Sequence, residues 1–157
     1  MRYDFNADEV FAMAEQIEKN GGIFYRQAAA GMSDADAKAF LNDLAVMEDE
    51  HEKTFKAMRA ALSAQEKAGT VFDPDNEAMM YLKALADTKV FFDKAIDTTT
   101  LKEILKAAIT AEKDSIVFYL GMRDAVSAKL GKDKIDAIIK EEMGHIRQLS
   151  AKLVTLK

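Results

Sequence analysis

Glutamate, tyrosine and histidine recur in this chain in one order and at one spacing, twice. Tyr25 stands seven residues after Glu18, and Tyr119 stands seven after Glu112. Thirty residues beyond each of those glutamates comes an E-x-x-H, Glu48 with His51 and Glu142 with His145. The second half-motif repeats the first at an offset of 94 residues and uses both histidines of the chain. A single E-x-x-H is a weak signal, but its duplication behind an E-x6-Y is a strong one. Whatever this sequence folds into must bring two equivalent sets of carboxylate and imidazole into related places.

Composition says which kind of element carries them. One proline and seven glycines in 157 residues, with abundant Ala, Leu, Lys, Glu and Met, favour helix over sheet. The periodicity agrees, stepping by three and four. A first helix is predicted over about Ala7 to Ala30, with Phe11, Ala14, Glu18, Gly21, Tyr25 and Ala28 on one face and Met32 just beyond. The second starts behind Ser33, read as its N-cap, and runs to about Lys67 before Gly69; its stripe is Leu41, Leu44, Glu48, His51, Phe55, Met58 and Leu62. Thr100-Leu101-Lys102-Glu103 has the form of a capping box and opens a third helix carrying Leu105, Ala108, Glu112, Ser115, Tyr119, Met122 and Val126. Beyond Gly131 a fourth, from about Asp133 to Val154, presents Ile135, Ile138, Glu142, His145 and Leu149.

The expected architecture is an all-α four-helix bundle formed by one domain spanning 1–157, with a long crossover between the second and third helices. A 30-residue helix is about 45 Å long, so the chain must return along the bundle before the second half-motif can sit beside the first. Residues 68–99 are long enough to do this. Within them Asp73-Pro74 reads as a helix start, Glu77 to Leu85 as a short helix, and Val90 to Ile96 as a further amphipathic piece.

Glu18, Glu48, His51, Glu112, Glu142 and His145 thus occupy seam positions that an ordinary bundle fills with Leu or Ile. Burying an ionised carboxylate without a partner costs several kcal/mol, and four around one point repel one another. No Lys or Arg falls on the seams near them, which leaves a metal-free polar network or bound cations. Two divalent ions bring four positive charges against four carboxylates, and neutral imidazoles complete the shells. Di-iron and di-manganese bundles use this set, a Glu from each of two helices and a Glu-x-x-His from each of the other two. Zero cysteines exclude thiolate sites, iron–sulfur clusters and disulfides. Carboxylate and imidazole ligands accept iron, manganese or zinc.

Other classes of function are disfavoured. A net charge of −5, with no basic block to meet phosphates, argues against nucleic acid and anionic membrane as partners. The longest apolar runs fall well short of the ~20 residues that span a bilayer. Met1-Arg2-Tyr3-Asp4-Phe5-Asn6 leads into Asp8-Glu9 with no apolar run, so no secretory signal and a cytoplasmic location are expected.

The stretches Glu18-Lys19-Asn20-Gly21-Gly22-Ile23-Phe24-Tyr25, Glu48-Asp49-Glu50-His51, Glu112-Lys113-Asp114-Ser115-Ile116-Val117-Phe118-Tyr119 and Glu142-Met143-Gly144-His145 resemble the ferritin-like superfamily. Within it they resemble most the rubrerythrin-like proteins that lack a rubredoxin domain. The resemblance implies a di-iron site at the six residues, with Glu48 and Glu142 bridging, and redox chemistry on hydrogen peroxide or oxygen. It also implies a homodimer and a separate electron-donor protein. The chain departs from full-length rubrerythrins in having no cysteine, and in having Ile109 and Ser115 where an extra glutamate would stand three residues either side of Glu112. Its six-ligand set is also similar to the ferroxidase centre of bacterioferritins. Oxidoreductase, iron-handling ferroxidase and helical module with a structural metal are therefore the three functions to separate.

Several neighbours carry expectations of their own. Tyr25 and Tyr119 are placed to hydrogen-bond ligand carboxylates, with aromatic core filling as the alternative. Gly21 and its repeat partner Ser115 either leave room for an oxygen species or allow close helix packing. Met47 and Met143 are expected to be core fillers. Glu15, one turn before Glu18, is expected on a solvated face.

Overall fold

The computed structural model describes residues 6–63, 77–87, 100–126 and 128–156. Helix α1 spans Ala7–Ala30, α2 Ala35–Ala60, α3 Glu77–Asp87, α4 Leu101–Ala125 and α5 Lys132–Thr155, with a 3-10 turn at Ala128–Leu130 before α5. No strand occurs among the described residues. The four long helices are those expected from the periodicity. Asp73-Pro74 and the piece at 90–96 lie outside the described residues.

Local chemistry sets most helix starts. Asn6 accepts the Glu9 amide at 2.9 Å, and Thr100 accepts that of Glu103 at 3.2 Å, as its capping-box pattern predicts. Such caps are each worth about 1 kcal/mol over alanine. At α2 the cap is Asp34, whose carboxylate accepts the Ala37 amide at 2.8 Å, rather than Ser33. Ser and Asp are equally good caps, so sequence alone could not choose between neighbours. Gly131 takes φ 101° ahead of α5, a left-handed conformation that costs glycine little and other residues more.

Helix α2 ends at Ala60, short of the expected Lys67. Arg59 pairs with Asp8 in the first turn of α1, its Nε donating at 3.0 Å and its Nη2 at 2.9 Å. Tertiary packing rather than propensity supports most of a helix, so its sequence alone does not say where α2 stops. Asp49 on α2 meets Arg26 near the other end of α1, so the two helices run antiparallel.

α1 packs chiefly on α2, and α4 on α5. Helix α3 lies against α4, with Leu82 fully buried and the Tyr81 hydroxyl donating to the Val117 carbonyl at 3.1 Å. Gly121 makes that contact possible, since a Cβ there would sit 2.5 Å from the Tyr81 ring.

The apolar core comes in two clusters. One gathers Val10, Phe11, Ala14, Phe55, Met58, Leu82, Tyr119, Met122, Ile135 and Ile138 among others. The other gathers Tyr25, Ala28, Leu41, Leu44, Ile104, Leu105, Ala108 and Leu149. The six predicted ligands fall between them on every long helix. On α1, for example, Glu18 sits between Ala14 of one cluster and Tyr25 of the other.

Candidate metal centre

The structure brings all six residues together. Each is at most 5 % exposed, although four are glutamates, a residue type seldom buried without a partner. Their ligand atoms form two overlapping sets: Glu18, Glu48, His51 and Glu142, and Glu48, Glu112, Glu142 and His145, each within 4.8 Å. Glu48 and Glu142 belong to both sets, whereas Glu18 with His51 and Glu112 with His145 belong to one each.

The spacing within each set suits a cation. Donors about 2.1 Å from one octahedral ion lie roughly 3.0 Å apart when adjacent and roughly 4.2 Å when opposite. His51 Nδ1 is 3.0 Å from Glu142 Oε1 and 3.3 Å from Glu18 Oε2. His145 Nδ1 is 3.0 Å from Glu142 Oε2 and 3.4 Å from both Glu48 Oε1 and Glu112 Oε1. The rings stack at 5.7 Å with 23° between their planes, each turning Nδ1 toward the carboxylates. Glu18 Oε2 and Glu48 Oε1 are buried with no hydrogen-bond partner, which costs stability unless something else satisfies them. Orphaned carboxylate oxygens facing shared imidazole nitrogens are a donor set that fits hard or borderline divalent ions.

Two tyrosines close the site from its apolar flanks, and they cross. Tyr25 donates to Glu112 Oε1 at 2.5 Å, and Tyr119 donates to Glu18 Oε1. Each phenol thus fixes the glutamate of the other half rather than the one seven residues before it. The crossing requires α1 and α4 to be antiparallel. The His51–Glu142 and His145–Glu48 pairs require the same of α2 and α5. These reciprocal contacts are those of a pseudo-two-fold relating the half-motifs.

Electrostatics show how the cluster balances itself with protons. Burial, then repulsion from Glu112 and Glu18, pushes Glu142 up to about 8. Glu48 is driven well above the usual carboxylate range by burial and by Glu142 and Glu18. Burial opposes charge on the histidines, but Glu142 and Glu18, whose carboxylate oxygens lie 3.0 and 3.3 Å from Nδ1, outweigh it and raise His51 to about 11. The same balance, with Glu112, Glu142 and Glu48 as partners, raises His145 to about 12. Burial also pushes Glu112 up, yet hydrogen bonds with Glu142 and His145 bring it below its ordinary value. Both phenols are held well above 10 by burial and the surrounding carboxylates.

Sequence reasoning missed Glu141. Its Oε2 lies 2.6 Å from His51 Nε2, the ring nitrogen facing away from the cluster. The repeat gives no hint of it, because the residue 94 positions earlier is Met47. Other neighbours differ from expectation too. Met47 and Met143 are partly solvent-exposed, not core fillers, since they sit one step off the seam. The space at Gly21 is taken by Glu48, whose Oε2 would collide with any Cβ placed there. Ser115 turns its hydroxyl back to the Ala111 carbonyl. Glu15 pairs with Arg59 at 3.3 Å and takes no part in the cluster. A surface cleft of about 340 Å³, lined by Asp43, Leu44, Met47, Lys140, Glu141, Gly144, His145, Arg147 and Gln148, borders the site.

Four long helices around a buried Glu/His layer define an all-α protein of the ferritin-like superfamily. A solved structure from Thermotoga maritima, described as a ferritin-like diiron-carboxylate protein, matches with a TM-score of 0.70 and 25% sequence identity over 98% of this chain and 97% of that one. No protein-family model and no curated protein matches the sequence. No helix among the described residues is long and apolar enough to cross a membrane.

Proposed function

We infer that this protein is a non-haem di-iron oxidoreductase acting on hydrogen peroxide or oxygen, with Glu18, Glu48, His51, Glu112, Glu142 and His145 holding two ions. The observation that carries this reading is the pair of overlapping four-residue sets sharing Glu48 and Glu142. Glu48 and Glu142, common to both sets, would serve both ions, and Glu18 with His51 and Glu112 with His145 would each serve one. Iron is favoured by the likeness to rubrerythrins and to the diiron-carboxylate structure, while the ligands alone also accept manganese or zinc. Bound in the ferrous state, two irons supply the two electrons that turn one hydrogen peroxide and two protons into two waters.

The chain's own groups prepare this chemistry. Tyr119 and Tyr25 hold Glu18 and Glu112 in fixed orientations, and burial keeps bulk water from competing as ligand. The protons on the histidines and raised carboxyls must leave as cations bind, so metal uptake releases protons. In this reading electrons come from a separate donor protein, since these 157 residues include no cysteine to hold a rubredoxin-type centre.

A second reading, ferroxidase and iron handling as in bacterioferritins, is favoured by the neighbourhood of Glu112. Ile109 packs against an apolar cluster and the Ser115 hydroxyl is bonded to backbone, so neither position adds a ligand. Metal analysis of protein purified without added metal, followed by stopped-flow oxidation of the reduced protein, separates the readings. Two irons per chain and oxidation faster with peroxide than with oxygen are expected. Faster reaction with oxygen followed by release of ferric iron supports iron handling. Inertness to both supports a structural metal, and fewer than two ions under metal-replete conditions overturns the assignment.

A further inference from the structure

His51 and His145 turn the same nitrogen to the carboxylates but differ at the other one. His51 Nε2 has Glu141 Oε2 at 2.6 Å, whereas His145 Nε2 is buried with no partner. The repeat shows why: Met47 occupies the place equivalent to Glu141, and its thioether is at best a weak acceptor. When Nδ1 binds a cation, Nε2 carries the ring proton. A carboxylate on that proton fixes the tautomer and orientation of the ring and makes it a stronger ligand. Both rings are buried, so the difference between them lies in the partner at Nε2 rather than in exposure.

We propose that Glu141 is a positioning residue for His51, and that Met47 in its place beside His145 makes the two metal positions unequal. The Glu18–His51 position fills first; the Glu112–His145 position fills second and gives up its ion first. This rests on the two-metal reading above and adds an order of occupancy to it.

The test is titration of the metal-free full chain with Co(II), followed by d–d absorption and calorimetry. Wild type is expected to show two steps separated by roughly tenfold or more in affinity. Glu141→Ala should weaken the first step about 10–100-fold and leave the second unchanged, the usual cost of losing such a partner. Glu141→Gln keeps an oxygen that can accept the Nε2 proton without the charge, and should recover part of the loss. Met47→Glu should tighten the second step. The effect is located by repeating Glu141→Ala with one end disabled: the loss should persist beside Glu112→Gln and vanish beside Glu18→Gln. Two equal wild-type steps, or a loss that Glu141→Ala spreads evenly over both, overturn this inference while leaving the two-metal reading intact. A wild-type chain that binds no Co(II), or one ion only, overturns the two-metal reading itself.

Discussion

The apolar layers and the polar layer between them are built from the same four helices but are stabilised in opposite ways. Phe11, Phe55 and Met122 on one side, and Leu41, Leu105 and Leu149 on the other, gain stability simply by leaving water. Glu18, Glu48, Glu112 and Glu142 leave the same water and lose by it, recovering the loss only through protons, phenol hydrogen bonds or bound cations. The fold therefore does not need its middle layer for cohesion. It spends stability from the flanking layers to hold a charged cluster in place.

Truncation is the most direct way to break that contrast. Phe55→Ala, in the fully buried apolar layer, should cost about 3–5 kcal/mol with or without metal, read as a fall in the denaturation midpoint. The double change Glu48→Gln and Glu142→Gln should abolish two-metal binding, yet leave the metal-free midpoint near neutral pH little changed, because neutral amides replace carboxyls that burial and repulsion already hold toward the protonated form. A metal-free double variant destabilised as much as Phe55→Ala would mean the polar layer supports the fold in its own right.

Acidity should act on the two states with opposite sign. Glu142, His51 and His145 all bind protons more tightly folded than unfolded, at about 8, 11 and 12 against ordinary values of 4.5 and 6.5. Stability from Glu142 is complete below about 4.5 and lost progressively as pH rises to 8; that from the histidines is complete below 6.5 and lost progressively from there up to about 11 and 12. Glu112 shifts the other way, but its effect falls below its ordinary value of 4.5. Metal-free protein should thus melt at lower temperature at pH 8 than at pH 5. Metal-loaded protein should do the reverse, since protons compete with the cations for the same atoms. Melting curves at both pH values, with and without Fe(II) under anaerobic conditions, check this; parallel trends in the two states would break it.

The smallest change sharpens the comparison at one residue. Gly21→Ala removes a helix glycine and should stabilise the metal-free protein by up to about 1 kcal/mol, because only the flexible end of Glu48 must move aside. The same methyl prevents Glu48 from returning to its place between the two sets, so metal affinity should fall by about tenfold or more. Calorimetric unfolding and metal titration of this variant should move in opposite directions.

Periodicity made all six candidate residues legible, because a helix places residues three, four and seven apart on one face whatever surrounds it. It also gave the four helices, the Thr100 cap and the need for a long crossover. Met47 and Met143 escape a reading by periodicity because a residue one step from a ligand lies about 100° around the helix, where only the neighbouring helices decide burial. The end of α2 at Ala60 is not legible for a related reason: its sequence could continue as helix, and tertiary packing rather than propensity decides how far a helix is supported.

The sequence by itself determined which residues lie on each seam and that the two halves repeat. Only the tertiary structure decided that Tyr25 bonds Glu112, that Tyr119 bonds Glu18, and that Glu141 supports one histidine while the other has none. Those contacts join residues 87, 101 and 90 positions apart. Their partners depend on how each helix is rotated and which helix faces it, and those degrees of freedom are fixed by packing between helices rather than by the pattern along any one of them.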